Sequence, residues 1–93
     1  MITAIVLVQT EVDKINEVAE AIVKLDGVSE VYSITGDHDL LVMVRVRHHD
    51  HLADVIPARL NKIPGVVHTD THIAFRTYSR HDLEAVFSLG LPE

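Results

Sequence analysis

The chain has 93 residues, no cysteine and a formal net charge of −6, with 14 acidic and 8 basic side chains. This length fits one domain, and the absence of cysteine excludes disulfides, thiolate nucleophiles and sulfur-ligated metals. No cluster of basic residues is present to neutralise phosphates, so direct nucleic-acid binding is not expected.

The first half of the chain reads as strand, helix, strand. Residues 2–9 are mostly apolar, which is typical of a strand buried on both faces. This run is too short to cross a bilayer and no basic leader precedes it, so we expect a cytoplasmic protein without membrane contact. Thr10-Glu11-Val12-Asp13 predicts a capped helix start, and Gly27 predicts the helix end. Residues 28–35 are β-branched and mixed in polarity, as in an edge strand.

The second half repeats this order. Residues 40–46 predict another strand that is apolar on both faces. Asp50 is predicted to cap a second helix, which runs to Ile63 with a kink at Pro57. Residues 66–77 are the predicted fourth strand.

The resulting order, β-α-β-β-α-β, predicts an α+β fold: a ferredoxin-like sandwich of the dimeric α/β-barrel type. A further helix is predicted at about residues 80–89, within one domain of residues 1–93. Right-handed crossovers place the first and third strands in the centre of the sheet. Two helices cover only one face of such a sheet, yet both central strands are apolar on the other face as well. A sheet-to-sheet homodimer would bury that second face.

The connector Thr35-Gly36-Asp37-His38-Asp39, between the second and third strands, is a candidate ligand site. Gly36 permits a positive φ that frees neighbouring amides for an anion such as a carboxylate. Asp37 and Asp39 supply the negative charge that an ammonium group needs. One turn would therefore match both ends of a free amino acid. Gly and Asp are also favoured in ordinary hairpin turns, and composition alone favours that simpler interpretation.

Two threonines on the predicted fourth strand are a second candidate. Thr69 and Thr71 alternate on one face with Val67, Ile73 and Phe75. A buried hydroxyl without a partner costs about 1–3 kcal/mol, which favours a ligand or interface role. Threonine also simply prefers strands, so both interpretations stay open.

Two other clusters favour structural explanations. His48-His49-Asp50-His51 has the residue types of a metal site, but its side chains diverge where a strand passes into a helix, so a solvated loop is favoured and no metal is predicted. Ser79, His81 and Asp82 have the composition of a nucleophilic triad. They lie within one helical turn, where Ser79-x-x-Asp82 is a capping pattern. We therefore expect neither catalysis nor a cofactor.

The features at residues 2–77 together resemble the ligand-binding (RAM) domain of the Lrp/AsnC transcriptional regulators. The matching segments are the helix exits at residues 25–28 and 63–66, the connector at residues 35–39, and the strand Thr69-x-Thr71-x-Ile73. The central Gly-x-x-Asp is the most specific of them. Family regulators carry a helix-turn-helix domain before this one, so the chain resembles a stand-alone effector domain that lacks a DNA-binding domain.

The resemblance implies a homodimer through the sheet faces, a ring of such dimers, and amino-acid effectors bound between dimers. The ligand-binding residues that it implies are Gly36, Asp37, His38, Asp39, Thr69 and Thr71. In that arrangement Asp39 meets the ammonium group and the amides around Gly36 meet the carboxylate. The two threonines come from an adjoining subunit. Asp37 and His38 form the variable middle of the motif.

The sequence therefore predicts a non-enzymatic domain that binds an amino acid, oligomerises, and modulates transcription or amino-acid metabolism. A full-length Lrp/AsnC regulator is a further expected partner. One alternative is an ACT-type amino-acid-binding module, which favours glycine after its first strand, whereas residues 9–12 contain none. Another is a small dimeric α/β-barrel enzyme, a monooxygenase or isomerase, which needs polar groups where this chain has aliphatic ones. A third is an oligomerisation module that responds to no amino acid.

Overall fold

The computed structural model describes residues 1–78 and 80 of the chain. The strands are β1 (Ile2–Thr10), β2 (Val28–Ser33), β3 (Leu40–Val46) and β4 (Val66–Ala74). The α-helices are α1 (Ile15–Val23) and α2 (His49–Val55), and short 3-10 turns cover Val12–Lys14 and Leu60–Lys62. All strand pairs are antiparallel in the order β2-β3-β1-β4, so the predicted βαββαβ fold with β1 and β3 at the centre is confirmed. Apart from Arg80, the predicted C-terminal helix and its capping pair lie outside the described residues.

One face of the sheet forms the core with the helices. Alternate residues of the central strands are completely buried there because the strand period of two directs them to the same face. These residues are Ala4, Val6, Val8, Leu40, Val42 and Val44. Val18 and Ile22 of α1 and Leu52 and Val55 of α2 pack against them. The core is therefore entirely aliphatic, which follows from a chain with only 2 tyrosines, 2 phenylalanines and no tryptophan.

The opposite face, which we call the open face, is apolar at its centre. Ile5 and Leu7 of β1 and Leu41 and Met43 of β3 lie there, each only half-buried. None of the helices in residues 1–78 packs on this face, because their buried side chains join the core on the other side. Within the same residues, no helix is long and apolar enough to span a membrane.

The predicted capping of both helices is wrong. Thr10 is the last residue of β1 and is buried, and its hydroxyl donates to the Glu11 carbonyl instead of accepting from a helix amide. Asp50 lies inside the first turn of α2, where His48 occupies the cap position without a side-chain hydrogen bond. The carboxylate of Asp50 is still placed favourably there, because a helix N-terminus carries partial positive charge.

Pro57 ends the second helix and does not kink it. Helix α2 stops at Val55, and the chain continues through a turn into the 3-10 segment at Leu60. Proline has no N–H to extend the helical hydrogen-bond ladder, and here the ladder is not resumed beyond it. The predicted apolar positions remain correct, since Val55, Ile56 and Leu60 are all buried.

The two helix exits are equivalent in conformation, as their similar sequences indicate. Gly27 has φ +94° and Gly65 has φ +100°, a left-handed region that favours glycine. The Gly27 carbonyl accepts the Arg45 amide at 2.8 Å, and the Gly65 carbonyl accepts the Glu11 amide at 2.8 Å. Each glycine thus ties one half of the chain to the other.

Candidate functional site

Two backbone hydrogen bonds hold the connector between β2 and β3, residues 35–39: one closes its base and one joins it to β1. The Ile34 amide donates to the Asp39 carbonyl at 3.0 Å, and the Asp39 amide donates to the Val8 carbonyl at 2.9 Å. Gly36 has φ +108°, and a Cβ atom built on it would have no heavy atom within 4 Å. The amides of residues 35–38 donate to no other described residue. The connector therefore exposes a short run of backbone donors around a glycine that has open space beside it.

Asp39 has a structural contact that the sequence did not predict. Its Oδ2 accepts the Thr10 amide at 2.8 Å and lies 3.4 Å from the Thr10 hydroxyl. This contact joins the start of β3 to the end of β1, and it explains why Thr10 does not cap a helix. Within the described residues, Oδ1 of Asp39 accepts no hydrogen bond. One oxygen of the carboxylate therefore holds β1 and β3 together, and the other accepts no hydrogen bond from the described residues.

His38 links the connector to β4 through a carboxylate. Its Nε2 lies 2.9 Å from Asp70 Oδ2, and the Nε2 of His68 lies 3.1 Å from Asp70 Oδ1. Hydrogen bonds from His38 and then His68 hold the pKa of Asp70 below its ordinary value. Asp70 pairs with Leu7 in register, which places the cluster at the edge of the open face. Asp70 is absent from the predicted site; its alternation with His68 and His72 was the available signal.

Thr69 and Thr71 lie on the other face of β4. They pair with Val8 and Val6, whose side chains are in the core. The Thr69 hydroxyl donates to Asn61 Oδ1 at 2.9 Å, and Thr71 is exposed. In the sheet, Val8 lies between Thr69 and the Asp39 amide. The connector reaches β4 only on the face that carries Asp70, which is opposite to the face of the two threonines. The structure therefore brings His38 to β4 but does not bring the threonines to the connector.

The histidine-rich segment at residues 48–51 forms no metal-binding group. The rings of His48 and His51 lie 5.4 Å apart in an edge-to-face arrangement. Among the residues that the structure describes, no group of three or more His, Cys, Asp or Glu side chains could hold a metal ion. His49 and His51 belong to α2, so the segment is largely the start of a helix.

The antiparallel βαββαβ sheet, with helices on one face and an open apolar face on the other, defines an α+β domain with the ferredoxin-like fold. The sequence model of the family described as Lrp/AsnC ligand binding domain matches residues 3–83 of this chain. The chain belongs to this family, and the resemblance drawn from its sequence is confirmed.

Three known proteins illustrate the relationship. TTHA0845 of Thermus thermophilus is 41% identical, with a TM-score of 0.81 over 86% of this chain and 100% of that one. The HTH-type transcriptional regulator FL11 of Pyrococcus abyssi is 35% identical over 75 residues, which cover 81% of this chain and 49% of the regulator. The regulator NMB0573 of Neisseria meningitidis, solved as an L-Met complex, shares the fold with a TM-score of 0.76 at 16% identity, over 85% of this chain and 53% of that one. The chain thus spans about half the length of the curated relatives that it matches.

Proposed function

We propose that this chain binds a free amino acid at a site shared between subunits and assembles with copies of itself, so that the ligand controls assembly. The connector carries the proposal. It combines a left-handed Gly36 in open space with backbone amides at residues 35–38 that have no described acceptor. Such a run of outward amides matches the two oxygens of a carboxylate.

The ammonium group of the ligand would meet Asp39. One oxygen of this carboxylate is held by the Thr10 amide, which fixes the position of the side chain. The second oxygen remains available to a charged donor. A carboxylate that is already oriented loses little conformational entropy on binding, and a charge-assisted hydrogen bond is among the stronger polar contacts. Asp37, which is exposed on the same connector, adds negative charge beside it.

The threonines would complete the pocket from a second subunit. Thr71 is exposed and Thr69 is half-buried, and both lie on β4, an edge strand of the sheet. An edge strand is accessible to a neighbouring chain. Because these threonines lie on the face of β4 opposite to the Asp70 that His38 contacts, a pocket made of the connector and the threonines needs two subunits.

Assembly would begin with the open face. Its half-buried centre of Ile5, Leu7, Leu41 and Met43 is an apolar patch in a chain that is otherwise acidic. A second copy that packs on the same patch would remove it from water in a symmetric, self-complementary interface. Longer regulators that carry the same domain are the natural partners for mixed assembly. The regulator identity of the curated relatives supports a role in transcription for the assembled form.

A thermal-shift screen against the twenty amino acids tests ligand binding, and L-methionine is the first candidate because NMB0573 was solved with it. A ligand at a hundred times its dissociation constant stabilises the folded form by about 2.7 kcal/mol. The informative variant is Asp39→Asn, which keeps an oxygen for the Thr10 amide and removes the charge. Asp50→Asn on α2 removes the same charge away from the connector and serves as the control.

We expect at least one amino acid to stabilise the wild type and the Asp50→Asn control, and to leave Asp39→Asn much less affected. If no amino acid shifts the midpoint of the wild type, the sensing function is wrong. If Asp39→Asn responds as strongly as the control, an amino acid binds but the assignment of its ammonium partner is wrong.

A further inference from the structure

A cleft lies at the opposite end of the molecule from the connector. It has a volume of about 410 Å³ and is formed by the turn after α1, the end of β3 and helix α2. The connector enters β3 at Leu40, whereas the cleft surrounds Val46, where the strand ends. Six residue steps along a strand span about 20 Å. The cleft is therefore distinct from the proposed amino-acid site.

The floor of the cleft is apolar and fixed. Val46 and Val55, which line it, are buried in the core. Gly27 packs so closely on them that an added Cβ would lie 3.1 Å from each valine. The Gly27 carbonyl also accepts the Arg45 amide, which holds the turn after α1 against β3. A pocket whose backbone walls are tied together is already formed before a ligand enters it.

The walls of the cleft concentrate positive charge in an acidic protein. Three of the five arginines of the chain line it: Arg45, Arg47 and Arg59. The guanidinium of Arg45 is engaged elsewhere, at 2.6 Å from the Ser29 hydroxyl and 3.6 Å from a Glu30 oxygen. Arg47 and Arg59 form no ion pair within 4.0 Å with any described residue. Two guanidinium groups are therefore available to a ligand.

Two carboxylates also line the cleft without contacting the arginines. Asp26 and Asp54 line the same space, but neither forms an ion pair with a described residue. His51 on α2 adds an imidazole to the wall. The cleft thus offers guanidinium donors, carboxylate acceptors and an apolar floor together, a combination that suits a polar molecule with one strongly anionic group.

We propose that this cleft binds a small phosphorylated molecule, with its phosphate between Arg47 and Arg59. A phosphate group carries up to two negative charges at neutral pH and so matches two guanidinium groups, whose planar forks bind its oxygens in pairs. Asp26 and Asp54 accept hydrogen bonds from hydroxyl or amino groups on the rest of the ligand. The apolar part of the ligand rests on Val46 and Val55.

Isothermal titration calorimetry with inorganic pyrophosphate, AMP and adenosine, all at one ionic strength, tests this site. The variant is the double substitution Arg47→Gln and Arg59→Gln. The control is Lys14→Gln with Arg76→Gln, which removes the same charge from two exposed positions that do not line the cleft. Backbone amide shifts of Gly27 in NMR spectra of the wild type locate the binding independently.

We expect AMP to bind the wild type and the control with affinities that differ by no more than twofold, and we expect the same of pyrophosphate. The double variant should bind at least tenfold more weakly, and adenosine, which lacks the phosphate, should bind at least tenfold more weakly than AMP. Equal weakening in the variant and the control would overturn the proposal, since it would show attraction by overall charge. An absence of binding by the wild type, or binding that leaves the Gly27 amide unshifted, would overturn it as well.

Discussion

Two glycines with positive φ, Gly65 before β4 and Gly36 in the connector, allow backbone strain and steric overlap to be separated in one experiment. Gly65 and Gly36 have nearly equal φ angles of +100° and +108°. A Cβ atom on Gly65 would lie 2.8 Å from Val18 Cγ2 and 3.0 Å from Lys14 Cβ, whereas one on Gly36 would meet nothing within 4 Å. Substitution by alanine therefore imposes similar strain at both positions, but overlap only at Gly65.

The expected magnitudes follow from these contacts. Forcing an alanine into the left-handed region costs about 1–2 kcal/mol, which is the whole expected effect of Gly36→Ala. Overpacking against a rigid core adds about 1–3 kcal/mol. Val18 is completely buried in the core and cannot move aside freely, so Gly65→Ala should cost about 2–5 kcal/mol. In a domain of this size, each kcal/mol lowers the melting temperature by about 4–8 °C.

Urea denaturation of both variants at one protein concentration measures the two costs. The concentration must be equal because the stability of an oligomer depends on it. The free energy of unfolding should fall further for Gly65→Ala than for Gly36→Ala, by at least about 1 kcal/mol. Equal losses would show that the helix exit relaxes around the added methyl group, and the description of a tightly packed Gly65 would be wrong.

Three further outcomes are expected. Hydrogen bonds from His38 and His68 hold the pKa of Asp70 below its ordinary value of 3.8. The ionised carboxylate therefore stabilises the fold at pH values above 3.8. This contribution is lost as the pH falls through the lower pKa of the folded state. The melting temperature of the wild type should then fall more steeply between pH 5 and pH 2 than that of Asp70→Asn; parallel curves would contradict this linkage. Met43→Glu should prevent the proposed homodimer from forming, since a charge on the open face would be buried without a partner; in light scattering its mass should be lower than that of the wild type, and equal masses would contradict an interface at this face. Leu60→Ala should cost about 2–5 kcal/mol in urea denaturation, because Leu60 is completely buried although it follows the helix break, and a loss below about 1 kcal/mol would refute its place in the core.

The strands and the core could be predicted because their signals are local. Residues 40–46 are apolar except for Arg45, and β3 occupies those same residues. The rule that crossover connections are right-handed then predicted β1 and β3 at the centre of the sheet, and the observed strand order confirms this. The interruption at Pro57 was also visible, but its consequence was not. A kink and a break both leave Ile56 and Leu60 in the core, so the apolar pattern does not distinguish them.

The contacts of the candidate site were not predictable in the same way. The partner of Asp39 is the Thr10 amide, 29 positions away in the sequence, and the pattern at Thr10 favoured a helix cap instead. The bond between His38 and Asp70 likewise depends on how the connector lies against β4. The sequence of a short segment shows which residue types it contains. Which side chains pair across β1 depends instead on the register of three strands, which a short segment does not reveal.

The strand order has a consequence for how the two halves depend on each other. Reading across the sheet, β2 and β1 come from the first half, and β3 and β4 come from the second, in strict alternation. Every pair of hydrogen-bonded strands therefore joins one half to the other, as do the amide contacts of Gly27 and Gly65. The two strands of each half do not pair with each other, so each half completes its strand pairing only with the other half. Residues 35–38 belong to none of these strand pairs, so the sheet places no pairing constraint on the sequence of the connector.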